Sequence, residues 1–396
     1  MNLPRFIQIH TLHSYPGALL NRDDAGLAKR LPYGNAVRTR ISSQCLKRHW
    51  RVTDDHFSLS RLGVPMAVRS RVTLRLIRDE LVAAGVSDAL AQIAAEGLRA
   101  AGLLDKGKDN KGKEALETGQ AVLLGRAEID YLVKRCTALA SESSNEKSLK
   151  AAIAAFLKDE KKNIEEIKHG SGLESALFGR MVTSDVLANR DAAVYVAHAF
   201  TVHEAQVEND YFTVVDDLLR EAGEQGSAGI FDTELASGLY YGYVVVDVPQ
   251  LIANLEGEKP DQWANLSTEK RELSARVVQH LLHLIATVSP GAKRGSTAPF
   301  EWAKFLLIEA GDWQPRSLAG AFQNALPTSE ANMRQAAVQR VADEIGKLDA
   351  AYGAPLSRRF LAVDDVQVPG ATRLPLAALG EWVKAAITQA NAPAEA

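Results

Sequence analysis

Residues 38–51 read RTRISSQCLKRHWR. With Val37 in front, VRTRIS reads as a short strand that carries Arg38 and Arg40 on one face. Ser42 or Ser43 can then cap a helix that begins near Gln44. On that helix Lys47 and Arg51 are four apart and share a face, with Gln44 one turn before Lys47. Five of these fourteen side chains are Arg or Lys and none is acidic. Strand and helix meet at a junction that is also a concentration of positive charge.

Upstream, RFIQIHTL (5–12) alternates apolar and polar residues and reads as a first strand, while LLNRDDAGLAKRLPYGNAV (19–37), with Gly26, Pro32 and Gly34, reads as a long polar loop. Downstream, from about Arg69 to Leu157, the chain is Ala-rich and helical, with KGKDNKGK (106–113) as an exposed loop tip. SALFGRMVTSD (175–185), AAVYVAHAFTVHEAQVENDYFTVVDD (192–217) and the glycine-punctuated EAGEQGSAG follow. ASGLYYGYVVVDVPQLIANL (236–255) then repeats the strand-to-helix pattern, with Pro249 in the first helical turn. STEKRELSARVVQHLLHLIATV is an amphipathic helix with Val277, Val278, Leu281, Leu282 and Ile285 on its apolar side. It runs into SPGAKRGST, a glycine-rich basic loop, and two more helices near 329–350 and 375–390 close the chain. Strands thus recur on both sides of a helical block. This pattern predicts one α+β sheet domain interrupted by insertions.

The 396 residues are 46% hydrophobic and 24% charged, as in a soluble globular protein with ample core. The two cysteines, Cys45 and Cys136, lie outside any CxxC pattern, which argues for a reducing interior and against structural zinc. No apolar run has the length of a signal-peptide core or a membrane span, so the expected location is the cytoplasm, with no membrane partner. The net charge of −3 does not by itself suggest nucleic acid. Its distribution does, because the window Arg22–Arg51 holds eight basic residues against Asp23 and Asp24, a net +6. Arg22, Lys29, Arg30, Arg38, Arg40, Lys47, Arg48 and Arg51, with the free N–H groups of a serine-capped helix start, suit a phosphodiester backbone. The plainer alternative is a solvated basic face. GAKRGS (291–296) is a second basic site in which glycines flank Lys293 and Arg294, without the spacing of a P-loop. Met181, Tyr211 and Phe212 are either core residues or platforms for splayed bases.

Enzymatic patterns are thin. His280 and His283 lie one turn apart in HLLH with no third ligand marked. His198, His203 and Glu204 form a loose group, and His10 and His13 stand apart from it. The pairs Asp23-Asp24 and Asp216-Asp217 are adjacent in sequence and so point apart on a strand or helix. No GxSxG, HExxH or kinase set occurs. Neither an active site nor a cofactor is expected.

LNRDDAGLAKR, RTRISSQCLKR, GRMVTSD, AHAFTVHE, DYFTVVDDL, GSAGIFDTELASGLYYGY and PGAK together, in this order, resemble the CasC-type backbone subunits of type I-E CRISPR Cascade complexes. The similarity runs from the first strand to about residue 300 and weakens through YGAPLSRRF and the last helix. It implies a right-hand architecture. The palm is a modified RNA-recognition-motif (ferredoxin-like) sheet from 1–59, 181–198 and 232–396; helical fingers occupy 60–180, and a β-hairpin thumb 199–231. It also implies a non-catalytic role. Copies polymerise along one CRISPR RNA, beside the large, small, guide-end-capping and guide-processing subunits. Each copy grips the guide's backbone while a neighbour's thumb kinks it, leaving bases free to pair with target DNA.

By the same resemblance the guide-binding residues are Arg22, Lys29, Arg38, Arg40, Ser42, Ser43, Gln44, Lys47, Arg48 and Arg51. Met181 and Thr183 in GRMVTSD, Tyr211 and Phe212 in the thumb, and Lys293 and Arg294 in the second basic loop join them. Backbone subunits of type III complexes instead use a thumb-region aspartate and a metal to cut RNA, and Asp210, Asp216 and Asp217 lie near the thumb here. A metal-dependent ribonuclease of that kind is the main alternative. A single-copy guide-processing or end-capping protein is a third.

Overall fold

The computed structural model describes residues 3–100, 116–118, 121–159, 172–181, 189–215, 227–353 and 356–389. The expected loop tip at 106–113 lies outside them. The chain folds into two units, one of 1–58, 195–246 and 275–396, the other of 59–194 and 247–274.

The first unit opens with β1 (Phe6–Ala18), β2 (Arg30–Tyr33), β3 (Ala36–Ile41) and α1 (Ser43–Val52). The second supplies β4 (Ala67–Ser70), α2 (Thr73–Ala83), α3 (Asp88–Ala100), β5 (Val122–Gly125), α4 (Arg126–Glu142) and α5 (Glu146–Asp159). After the short strand β6 (Val194–Val196) come β7 (Ala199–Thr201), β8 (Gln206–Val215) and the long β9 (Ser227–Asp247). The helix Thr268–Thr287, β10 (Phe305–Gly311), the helix Met333–Tyr352, β11 (Ser357–Ala362), β12 (Ala371–Arg373) and the helix Leu376–Thr388 follow. No helix among the described residues is long and apolar enough to cross a membrane.

In the first unit the strands run in the order β12-β11-β10-β1-β9-β7-β3-β2, and β8 pairs with β9 alone. β1 lies antiparallel to β10, from Phe6 opposite Gly311 to Leu12 opposite Phe305, whereas β11 and β12 are parallel. Both faces of the sheet are covered, and the adjacent tyrosines of LYYGY show how. Tyr241 points into a cluster with Phe200, Leu307, Phe322, Val338 and Phe360, under the helix Met333–Tyr352. Tyr240 points the other way, into Tyr15, Ile41 and Ala199 beside Cys45 and Leu46 of α1.

One expectation changes. The stretch read as a long loop contains β2, which pairs with β3 across Gly34-Asn35. Pro32 is tolerated because β2 is the sheet's edge and has no neighbour to serve on its outer side. Gly34 has φ +61°, and a Cβ there would sit 1.5 Å from the Gln323 carbonyl oxygen, so nothing larger fits. β1 is a strand as expected, and despite its alternation Phe6–Leu12 is buried throughout. Its polar positions face a buried ionic network. Glu309 of β10, fully buried, is held by Arg316 at 2.6 Å, by Arg358 at 2.7 Å and by His10 at 3.2 Å. Arg358 reaches on to Asp349 of the helix Met333–Tyr352. Leu318 N–H donates to Tyr241 Oη, which lies 2.9 Å from His10 Nδ1. The Glu309 carboxylate can only accept, so the neutral His10 carries its proton on Nε2 and its Nδ1 accepts from Tyr241 Oη.

The second unit packs α2, α3, α4 and α5 around Leu74, Ile77, Leu98, Leu132, Ile153 and Phe156. Gly97 lets α3 close on Ile153 of α5. Arg180 and Glu128 form a buried ion pair at 2.7 Å, and Glu128 also accepts from Gly125 N–H at the start of α4.

The Glu309 network contributes to the acid limit of the fold, alongside other histidines such as His13, whose pKa burial lowers to about 4. Burial pushes the Glu309 pKa up, but the hydrogen bonds from His10 and Arg316 and the charge of Arg316 outweigh it, leaving the carboxyl well below its usual 4.5. Burial pushes His10 below 6.5, only partly offset by Glu309. Both groups have depressed folded pKa values, so stability is lost as pH falls, first below 6.5 from His10 and then below 4.5 from Glu309. The urea midpoint should stay level from neutral pH down to that first value and then drop. Glu309→Gln should cost about 3 kcal/mol at neutral pH, because it leaves Arg316 without its carboxylate and Arg358 with Asp349 alone, and should flatten the lower limb.

Candidate nucleic-acid interface

The loop before β2 is held in shape by hydrogen bonds of its own. Asp23 closes it: its N–H donates to Leu27 O and its carboxylate accepts from Leu27 N–H, at 2.8 and 2.9 Å. Arg22 and Ala28 face each other in an antiparallel bridge. Lys29 N–H reaches Asn21 O at 3.0 Å, and Asn21 Oδ1 accepts from Ser42 N–H at 2.8 Å. Asn21 thus hooks the loop onto the start of α1. Ser42 is the N-cap, accepting from Cys45 N–H, and Ser43 donates to Gln44 Oε1. Trp50 is buried beneath α1, which turns Gln44 and Arg48 outward and leaves Lys47 and Arg51 half-exposed on the same side.

Four cations from separate segments converge here. Burial pushes the Cys45 thiol up to about 11 against the pull of Lys29, Arg48 and Arg294. Partial burial lowers the His198 pKa, and Arg40 and Lys29 lower it further. His49 is likewise lowered, first by burial and then by Arg294 and Arg48. Arg40 also contacts His198 Nδ1 at 2.9 Å and donates to Arg30 O. Lys29, Arg40, Arg48 and Arg294 therefore form one positive field around the first turns of α1, where the helix dipole adds its own positive end. The glycine-rich basic loop is tighter than its sequence suggests, since Arg294–Thr297 makes one helical turn.

β8 and β9 form an antiparallel ribbon from Gln206 opposite Ser237 to Val214 opposite Gly229. Every β8 side chain from Gln206 to Val214 is exposed. Tyr211, 64% exposed, and Phe212, 37%, alternate across the pleat and so lie on opposite faces. A ligand on one face meets only one of them. Phe212 stacks on Phe231, and the Lys293 ammonium lies 4.8 Å from its ring centre while donating to Thr233 Oγ1 at 2.6 Å. Lys293 thus braces the ribbon's foot.

A model of the CT1975-like proteins matches residues 7–385, almost the whole chain. The chain belongs to the CT1975-like family. Among solved structures, this CT1975-like protein is similar to a chain of "CRISPR RNA-guided surveillance complex, pre-nicking". The TM-score is 0.77 and the identity 28%, over 96% of this chain and 100% of that one. A chain of "CRISPR RNA-guided surveillance complex" gives TM-score 0.66 at 24% identity, over 95% and 99%, a likeness of fold. No curated protein matches the sequence.

Arg38 does not join the field. Arg38 corrects the sequence reading: it is fully buried, and its guanidinium donates to Thr201 O and Phe322 O at 3.0 and 2.9 Å. It staples β3 to β7 and to the segment around Phe322. Met181, 94% exposed, belongs to the second unit, and Thr183, Asp216 and Asp217 lie outside the described residues. The histidines have structural partners. His283 stacks on Phe57 at 3.6 Å, His280 Nδ1 meets Phe57 O, and His203 lies between Glu204 O and Leu239 N–H. Among the described residues no group of three or more His, Cys, Asp or Glu is placed to hold a metal. Sequence reading missed Asn21 and Glu234, which fix the loop through distant partners that leave no local pattern.

Arg38→Ala should lower the stability of this CT1975-like chain by about 3 kcal/mol in urea unfolding, since it opens a cavity and strands two buried carbonyls. Arg48→Ala, at an exposed position, should stay within about 0.5 kcal/mol of the parent.

Proposed function

We propose that this protein is the backbone subunit of a type I-E CRISPR Cascade surveillance complex, and that copies of it bind side by side along one CRISPR RNA guide. The observation that carries this reading is the convergence of Lys29, Arg40, Arg48 and Arg294 on a serine-capped helix start. It occurs in a chain similar along 96% of its length to a chain from a CRISPR RNA-guided complex. Such a field suits phosphates and is indifferent to bases, as a protein that must carry any guide requires.

On this reading the sheet of the first unit is a modified RNA-recognition-motif palm. The helical second unit holds the fingers, with Met181 against the bases, and the β8–β9 ribbon is a thumb that kinks a neighbour's guide. Target DNA is met through the guide, and the large, small, guide-end-capping and guide-processing subunits complete the assembly in the cytoplasm. The chain itself does no chemistry. Asp210 stands on the exposed ribbon opposite Thr233, so a type III-like cut would need metal ligands from outside the described residues. Incubation of the assembled particle with complementary RNA and magnesium should yield no cleavage; a cut abolished by Asp210→Asn would overturn this.

Co-expression with partner subunits and a CRISPR array should yield particles with guides of one length and several copies of this chain per RNA. Lys47→Ala with Arg51→Ala should weaken guide binding equally for all spacers and reduce the slope of log affinity against log salt by about 1.4. Spacer-dependent loss would mean that these residues read bases.

A further inference from the structure

Glu234 is a buried carboxylate, 7% exposed, at the foot of the ribbon and opposite Asn209. A negative charge so close to the cationic field works against a polyanion. Its contacts account for its presence. Oε1 accepts from Ala28 N–H at 2.8 Å, and the carboxylate also pairs with Arg30. Ala28 is the residue bridged to Arg22, and Lys29 follows it directly. Glu234 therefore holds the Leu27–Ala28 peptide, one residue before Lys29 and across the bridge from Arg22. On the other face of the ribbon, Lys293 makes the matching contact to Thr233, next to Glu234 in the strand.

We propose that Glu234 is a positioning residue: it presents Arg22 and Lys29 to the guide backbone and ties their loop to the ribbon. The proposal rests on the guide-binding reading above. Position and charge predict opposite signs, which makes it testable. If Glu234 acted through its charge alone, Glu234→Gln would tighten RNA binding and Glu234→Asp would leave it unchanged. If it positions the loop, Glu234→Asp, which keeps the charge but is one methylene short, must weaken binding. Glu234→Gln keeps an acceptor for Ala28 and should lose less.

The test uses the full chain and a random-sequence single-stranded RNA, followed by fluorescence anisotropy across a salt series, with thermal melting of each variant alongside. Glu234→Ala and Glu234→Asp should weaken binding roughly tenfold near 0.15 M salt and reduce the salt slope by about 1.4, the value of two lost phosphate contacts. Arg22→Ala with Lys29→Ala should do the same, and adding Glu234→Ala to that pair should change affinity less than about twofold. Equal losses with and without the two cations would reveal general damage and overturn the proposal, as would an unchanged slope or tighter binding by Glu234→Gln. If Glu234→Ala fails to fold, Glu234→Asp carries the comparison. A wild-type chain that binds no RNA at all would remove the guide-binding reading, and this proposal with it, before any variant is compared.

Discussion

Like charges repel, and a site for a polyanion must hold several cations together without letting acids quench them. At short range in a medium of intermediate dielectric, each such pair opposes folding by an amount comparable with a hydrogen bond. The CT1975-like chain meets this constraint with backbone hydrogen bonds. The loop of Arg22 and Lys29 is closed by Asp23 and hung from Asn21, α1 is started by Ser42, and Arg294 is anchored to Ser289 O. These contacts fix the cations from behind and leave their charge in front. The ionic network around Glu309 is the opposite arrangement, with each charge matched inside the core. One set of ion pairs supports the sheet, while the unmatched set remains available to a ligand.

Much of this was legible in RTRISSQCLKRHWR. The strand, the serine cap and the helix stand where the residues put them, and Gln44, Lys47, Arg48 and Arg51 share a side because Trp50 must be buried. Pro249 likewise marks the first turn of the helix Val248–Glu256. Arg38 was misread for a physical reason. The pleat puts it on the same face as Arg40, but periodicity cannot tell which part of that face another segment covers. Phe322 and Thr201 come from far along the chain and close over Arg38 alone. β2 was hidden by Pro32 and Gly34, which signal a turn and equally suit a short edge strand. β10, FLLIEAG, shows no alternation because both its faces are buried. Pairs such as Asn21–Ser42 and Ala28–Glu234 join ordinary residues whose importance lies only in where the fold brings them.

The ribbon raises a separate question of stability. A two-stranded ribbon is marginal in water unless something packs against it. Here its foot is gripped on both faces, by Glu234 on the side of the basic loop and by Lys293 over Phe212 on the other. Tyr211 and Phe231 at the level of that grip, and Val214 beyond it, stand exposed. The clamped end makes the ribbon a lever whose root shares its supports with the cationic loops. Among the described residues, the outer part carries exposed apolar side chains.

An apolar projection that meets a different surface on another copy makes a head-to-tail contact, and such contacts propagate rather than close. Self-association of that kind is a hazard for a free protein, yet it is the geometry that a subunit repeated along a single strand requires. On the function proposed above, a guide of fixed length would supply the stop that a head-to-tail interface lacks. The −3 charge of the chain fits the same logic. A strongly basic protein would bind nucleic acid everywhere, whereas a nearly neutral one with a local positive field gains affinity chiefly when copies align their fields along one strand. Selectivity for the guide would then come from repetition and not from the strength of any single contact.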